Sequence, residues 1–121
     1  MLTDGVLMRQ VNEKEPTVKS IAMNTKAIMN AFADKEMDEP TANLARHFYE
    51  AARRVEIAND TIKSRGELIT RNLLELGNGG SAYYMVTDYA IEVDKAVIER
   101  NEATKLFYVL AEVSGYTVEA K

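Results

Sequence analysis

Residues 77–81 read Gly77-Asn78-Gly79-Gly80-Ser81 and separate the two longest apolar-periodic segments of the chain. On both sides apolar residues recur every three or four positions over many turns, which is typical of amphipathic helices. The stripe before the glycines comprises Leu44, Phe48, Ala51, Val55, Ala58, Ile62, Ile69, Leu73 and Leu76; the stripe after them comprises Val86, Ala90, Val93, Val97, Leu106, Leu110 and Val113. Because the loop is too short for a domain linker, it predicts an antiparallel helical hairpin over about 41–76 and 81–114.

The ends of the two helices carry their own signals. Pro40 and Thr41 suit the start of the first helix, Ser81 can cap the second, and Gly115 suits a left-handed C-terminal cap. Gly66 is the weak point, because a glycine inside a helix costs about 1 kcal/mol relative to alanine. It allows two helices over about 41–63 and 67–76. The apolar phase nevertheless continues through it, which favours one helix, either straight or bent at Gly66.

The first forty residues predict one or two shorter helices. Asp4 can cap a short helix that runs toward Val11, and Pro16 suits the first turn of a second helix that ends at Phe32. The second helix would place Val18, Ile21, Ala22, Thr25, Ile28, Met29 and Phe32 on one face. No segment shows a strand pattern. We therefore predict an all-α helical bundle that forms a single domain over residues 1–121.

Composition limits the class of protein. With 121 residues, 46% hydrophobic and 28% charged, the chain has the composition of a soluble globular protein with one core. It has no cysteine, which excludes disulfides and thiolate metal sites. We see neither a signal-peptide pattern nor an apolar run of about 20 residues, so we expect a cytoplasmic protein without a membrane segment.

The side chains that catalysis needs are scarce. His47 is the single histidine, and with no cysteine the chain offers no nucleophile–base pair. A carboxylate-bridged metal site in a bundle would need a Glu-x-x-His motif repeated on facing helices, and that repeat is missing. We therefore predict no catalytic residue, no metal and no cofactor, and expect that the protein is not an enzyme.

The charges of the chain are unevenly distributed. The net charge of −4 argues against non-specific nucleic-acid binding by the whole chain, but the central segment has more cations than carboxylates. Its cations are Arg46, Arg53, Arg54, Lys63, Arg65 and Arg71. One interpretation is a solvated face with ion-pair ladders at i, i+4 spacing, such as Arg46–Glu50–Arg54 and Lys63–Glu67–Arg71–Glu75. The other is a row of cations that follows a nucleic-acid backbone, for which these six residues are the candidates.

A resemblance favours the second interpretation. The run Thr41-Ala42-Asn43-Leu44-Ala45-Arg46-His47-Phe48-Tyr49-Glu50-Ala51-Ala52-Arg53-Arg54 is similar to a helix of the small helical subunits of CRISPR effector complexes, which serve antiviral defence. In those helices a Thr, a Leu-Arg-like pair, an aromatic pair and trailing basic residues recur. The resemblance implies a non-catalytic subunit of a nucleoprotein assembly that touches RNA or DNA, with Arg46, Arg53 and Arg54 as the matching positions.

The alternative is a helical protein–protein interaction module, such as a homo-oligomer, an adaptor or an inhibitor of phage or bacterial origin. The last helix is acidic, with Asp88, Glu92, Glu99 and Glu102, and would dock on a basic partner. The partners to consider are therefore other subunits of an assembly, a second copy of the chain, or a nucleic-acid backbone.

Overall fold

The hairpin prediction is confirmed. The computed structural model describes residues 19–35, 38–75 and 81–119. In chain order they form β1 (Lys19–Ile21), α1 (Thr25–Phe32), α2 (Glu39–Leu73), α3 (Ser81–Ser114) and β2 (Tyr116–Val118). The long helices α2 and α3 pack along one another as an antiparallel hairpin, so the all-α class is correct. The predicted helix between Asp4 and Val11 and the loop residues 76–80 lie outside the described residues.

The bounds of α2 follow from its sequence. The Oδ1 of Asp38 accepts the backbone N–H of Thr41 at 2.9 Å, and Pro40 lies in the first turn, where its missing N–H costs nothing. That hydrogen bond lowers the pKa of the Asp38 carboxyl. The helix continues without a break through Gly66, so the prediction of one helix is confirmed. A Cβ at Gly66 would meet no atom within 4 Å, so packing does not require a glycine there.

The end of α3 is set by Gly115, as the sequence predicts. Gly115 has φ +81°, a left-handed conformation that costs a glycine little because it has no Cβ. It turns the chain out of α3 and directly into β2. Residues 116–118 then lie beside β1 in a parallel two-stranded sheet, with Lys19 opposite Tyr116 and Ile21 opposite Val118.

The predicted second N-terminal helix is wrong in its first part. Its segment contains β1, and α1 begins only at Thr25, so the expectation of no strands is also wrong. Asn24 is the N-cap, since its side chain accepts the N–H of Ala27 at 2.7 Å. Glu56 of α2 reaches across and accepts the N–H of Thr25 at 2.8 Å and its hydroxyl at 3.0 Å. These acceptors satisfy backbone donors that a helix start leaves without partners, which explains why α1 begins here.

The core lies at one end of the hairpin, where α1 and the sheet cover it. Its centre is an aromatic cluster in which the ring centroid of Phe48 is 5.0 Å from Phe107, 5.4 Å from Tyr116 and 6.3 Å from Phe32. Ile21, Ile28, Ala51, Ala52 and Ala111 complete the buried set around these rings. Burial raises the pKa of the Tyr116 hydroxyl, because a phenolate would be poorly solvated there.

The other end of the hairpin is thinly covered. Among the described residues, the buried side chains of α2 end at Ala58 and those of α3 begin at Ala96. Beyond these positions, within the part of the chain that the structure describes, α2 and α3 pack on each other and bury one stripe of each helix. Leu73 and Met85, near the tip, are about half exposed. The hairpin therefore has a packed end and an open end.

The predicted inner stripe of α3 is wrong in phase over its second half. The structure buries Ala96, Ala103, Phe107 and Ala111, whereas Leu106 is 41% exposed and Val113 76% exposed. The cause is Phe107, whose ring packs on Phe48. Two faces of α3 are apolar, so periodicity alone does not decide which of them meets α2.

Candidate functional site

Two of the six predicted nucleic-acid-binding cations are held by carboxylates of α3. The Nε of Arg54 donates to Glu99 Oε2 at 2.6 Å and its Nη2 donates to Glu99 Oε1 at 3.1 Å. Glu102 lies 4.0 Å from the same guanidinium. This two-point hydrogen bond raises the pKa of Arg54 and lowers that of Glu99. Arg54 therefore serves first as a link between the two long helices.

Arg65 makes the second link. Its Nε donates to Glu92 Oε1, which raises the pKa of the guanidinium, and the guanidinium also lies 5.9 Å from the centre of the Tyr89 ring. The sequence offered Arg65 no carboxylate at i, i+4 spacing within α2. Its partner comes from α3, and only the register of the hairpin brings the two together.

The other four predicted cations are exposed on α2. Arg46, Arg53, Lys63 and Arg71 form no ion pair within 4.0 Å in residues 19–35, 38–75 and 81–119. The predicted i, i+4 ladders with Glu50, Glu67 and Glu75 are therefore not formed. Arg46, Arg53 and Arg71 are close to whole numbers of turns apart, so they share one face of α2. His47 is also exposed, next to Arg46.

A shallow groove of about 450 Å³ lies between the two helix–helix ion pairs. Its floor is apolar, with Ile57 and Ala58 from α2 and Ala96 from α3, and its rim carries the paired charges and Lys95. Such a groove can accept an apolar side chain or a helix edge. It holds no buried acid or base, because the described part of the chain has no buried polar or charged side chain.

Metal-binding groups do not converge in the described residues either. No three His, Asp or Glu side chains there come close enough to hold a metal ion. The absence of catalytic residues and of a cofactor stays a prediction.

A further feature, which was not predicted from the sequence, is an apolar outer stripe on α3. It comprises Ile91, Ile98, Leu106, Val109 and Val113, together with the exposed ring of Tyr84 near the open end. At 3.6 residues per turn these positions fall within about a quarter of the helix circumference. Ile98, at the middle, is 58% exposed. The signal was present in the sequence as a second set of apolar residues, offset from those that pack on α2.

The ion pair between Arg54 and Glu99 predicts a pH dependence of stability. Because the folded-state pKa of Glu99 lies below its ordinary value of 4.5, the pair stabilises the fold above pH 4.5 and loses this effect as pH falls further. We expect Glu99→Gln to lower stability at pH 7 by less than about 1 kcal/mol, since both side chains are partly exposed. At pH 3 the difference from the wild type should shrink.

The measurement is the free energy of unfolding in urea at pH 7 and pH 3 for both proteins. Glu50→Gln is the control, because Glu50 is exposed and outside the described ion pairs. A Glu99→Gln effect that is the same at both pH values would contradict the prediction.

None of the helices in the described part of the chain has the length and apolar content that a membrane crossing requires. Comparison with known proteins gave no match, since no protein-family model, curated protein or solved structure matches this chain. The geometry and chemistry of its own residues are therefore the basis for a functional proposal.

Proposed function

We propose that this chain is a non-catalytic helical protein–protein interaction module whose contact surface is α3. The observation that carries the proposal is the outer stripe, a row of half-exposed aliphatic side chains along a helix whose other face already packs on α2. Contiguous exposed apolar surface of several hundred Å² is typical of interaction sites. We place this module in the cytoplasm, as the sequence predicts.

The apolar character of α3 is a better guide to the partner than its acidity. Of the carboxylates predicted to face a basic partner, Glu92 and Glu99 already accept hydrogen bonds from arginines of α2, and Glu102 lies beside Arg54. A basic partner would have to compete with these arginines. An apolar partner surface would instead gain directly by covering Ile91, Ile98 and Val109.

The test is affinity capture with the tagged chain in a lysate of its source organism. The wild type should retain a protein, and Ile98→Asp should lose it, because the partner would have to bury an unpaired carboxylate. Tyr108→Asp is the matched control, since Tyr108 is also about half exposed but lies outside the outer stripe of α3. Equal retention by the wild type and Ile98→Asp would refute α3 as the contact surface.

A second candidate function is contact with a nucleic-acid backbone in a nucleoprotein assembly, in keeping with the resemblance to CRISPR small subunits. The observation that favours it is the row of exposed cations on one face of α2, Arg46, Arg53 and Arg71, with Lys63 to one side. Guanidiniums without carboxylate partners are available to phosphates. Arg54 and Arg65 would first have to leave Glu99 and Glu92.

The same capture distinguishes the two candidates when the eluate is analysed for nucleic acid at low and high salt. Backbone contact predicts RNA or DNA in the low-salt eluate and its loss when Arg46, Arg53 and Arg71 are all changed to Ala. The matched control changes Arg54 and Arg65 to Ala and should retain the nucleic acid. An eluate with protein and no nucleic acid refutes this candidate.

A further inference from the structure

We infer that the outer stripe of α3 is the interface of a two-fold symmetric dimer, in which α3 packs antiparallel on α3 of a second copy. The inference rests on the proposed function and names its partner. It follows from the positions of the exposed residues along α3, which suit a copy of the same helix that runs in the opposite direction.

A two-fold interface pairs each residue with a partner that is equally far from the axis. Ile91 and Leu106, both exposed, are equidistant from the midpoint between Ile98 and Glu99. Lys95 and Glu102 have the same midpoint, and the Glu102 side chain remains 67% exposed beside Arg54. With the axis at this point, Ile91 would lie opposite Leu106 and Lys95 opposite Glu102, and each of these contacts forms twice, whereas Val109 would lie opposite Asp88.

The ends of the stripe obey the same symmetry. Tyr84 and Val113, both exposed, again share this midpoint. Ile98 lies next to the axis, where it would meet the Ile98 of the second copy. Three symmetric pairs and a central isoleucine thus agree on one register.

The charges beside the stripe support the antiparallel direction. Asp94 and Lys105 lie on the same flank of α3, and their midpoint is shifted by one residue from that of the stripe. A two-fold axis across antiparallel helices brings equal flanks together, so Asp94 would face Lys105 of the other copy within reach of its long side chain. Neither side chain forms an ion pair in the described residues.

The size of the surface also suits a dimer. Half-exposed aliphatic and aromatic side chains along the length of α3, contributed by both copies, would remove on the order of 1,000 Å² from water. This buried area is near the lower limit for specific protein–protein interfaces. The apolar groove floor, formed by Ile57, Ala58 and Ala96, stays outside this contact.

The first experiment measures the mass of the purified full chain by light scattering or sedimentation over a range of concentrations. The wild type should be a dimer, and Ile98→Asp should raise the dimer dissociation constant at least about a hundredfold, because two carboxylates would meet at the axis. Tyr108→Asp should remain a dimer. Circular dichroism checks that each variant keeps its helices.

A charge reversal tests the register. Asp94→Lys or Lys105→Asp alone sets like charges against each other twice and should weaken the dimer roughly tenfold. The double variant restores opposite charges and should recover the wild-type affinity. Failure of this rescue would refute the antiparallel register.

A cysteine placed near the axis gives a readout that does not depend on stability. The chain has no cysteine, so Ile98→Cys introduces a single thiol that would face its own copy and form a disulfide under mild oxidation. Ile57→Cys is the matched control, because Ile57 is 50% exposed on α2, away from the axis. Equal cross-linking rates of the two variants would overturn the proposal.

The outcomes also separate this inference from the proposed function. A purified chain that is monomeric, but still captures a different protein through Ile98, refutes the dimer and keeps the interaction module. A monomeric chain whose capture does not depend on Ile98 refutes both.

Discussion

Replacing Phe48 by alanine is expected to reduce the free energy of unfolding by about 3–5 kcal/mol. Phe48 is fully buried, and its ring touches Phe107, Tyr116 and Phe32, which come from three different elements. Removing the ring therefore loses the free energy of burying a large apolar side chain. It also leaves a cavity lined by the three other rings, which lowers stability further. The free energy of unfolding of a domain of this size is about 5–15 kcal/mol, so the variant would lose a large part of its stability.

Urea unfolding followed by circular dichroism measures this effect. Tyr49→Ala is the matched control, since it removes an aromatic side chain from the next residue of the same helix, where 36% of it is exposed. We expect the control to lose much less stability. Equal losses for the two variants would show that the aromatic cluster is not the core of the fold.

Replacing Ile28 by alanine is expected to cost about 2–5 kcal/mol and to release α1 from the hairpin. α1 has 8 residues, and Ile28 and Phe32 are its buried side chains. A helix this short is not stable alone in water, so it depends on this packing and on its contacts with Glu56. Loss of Ile28 should therefore reduce the order of α1 before the hairpin itself unfolds.

Amide hydrogen exchange distinguishes the local release of α1 from unfolding of the whole hairpin. In Ile28→Ala the amides of α1 should exchange much faster than in the wild type, whereas those around Phe48 should remain protected. Met29→Ala is the neighbouring control, because the Met29 side chain is 61% exposed and its loss should change stability by at most about 0.5 kcal/mol. Uniformly faster exchange in α2 and α3 would contradict local release of α1.

The burial of α2 was predictable because only one of its faces is apolar along the packed end. Phe48, Ala51, Val55 and Ala58 form that face, and all four are buried. Periodicity did not identify the buried face of α3, because this helix has a second apolar face. There the choice between Leu106 and Phe107 is made by the fit of one ring against Phe48, a contact between residues far apart in sequence.

At the candidate site, too, part of the arrangement was predictable from the sequence and part depends on the tertiary structure. Composition and spacing located the arginines on the central helix, but local spacing predicted ladders within α2 that are not formed. Arg54 and Arg65 pair instead with Glu99 and Glu92, and that pairing depends on which turns of α3 lie beside which turns of α2. The four cations that stay exposed could not be separated from these two by sequence alone.

The elements whose causes are local were readable from the chain. The hairpin, the continuity of α2 through Gly66 and the left-handed end at Gly115 follow from periodicity and from the backbone freedom of glycine. The strands β1 and β2 could not be predicted from the sequence, because each has 3 residues and forms only by pairing with the other. The exposed outer face of α3 could not be predicted either. Which of the two apolar faces of α3 remains exposed depends on which of them packs on α2.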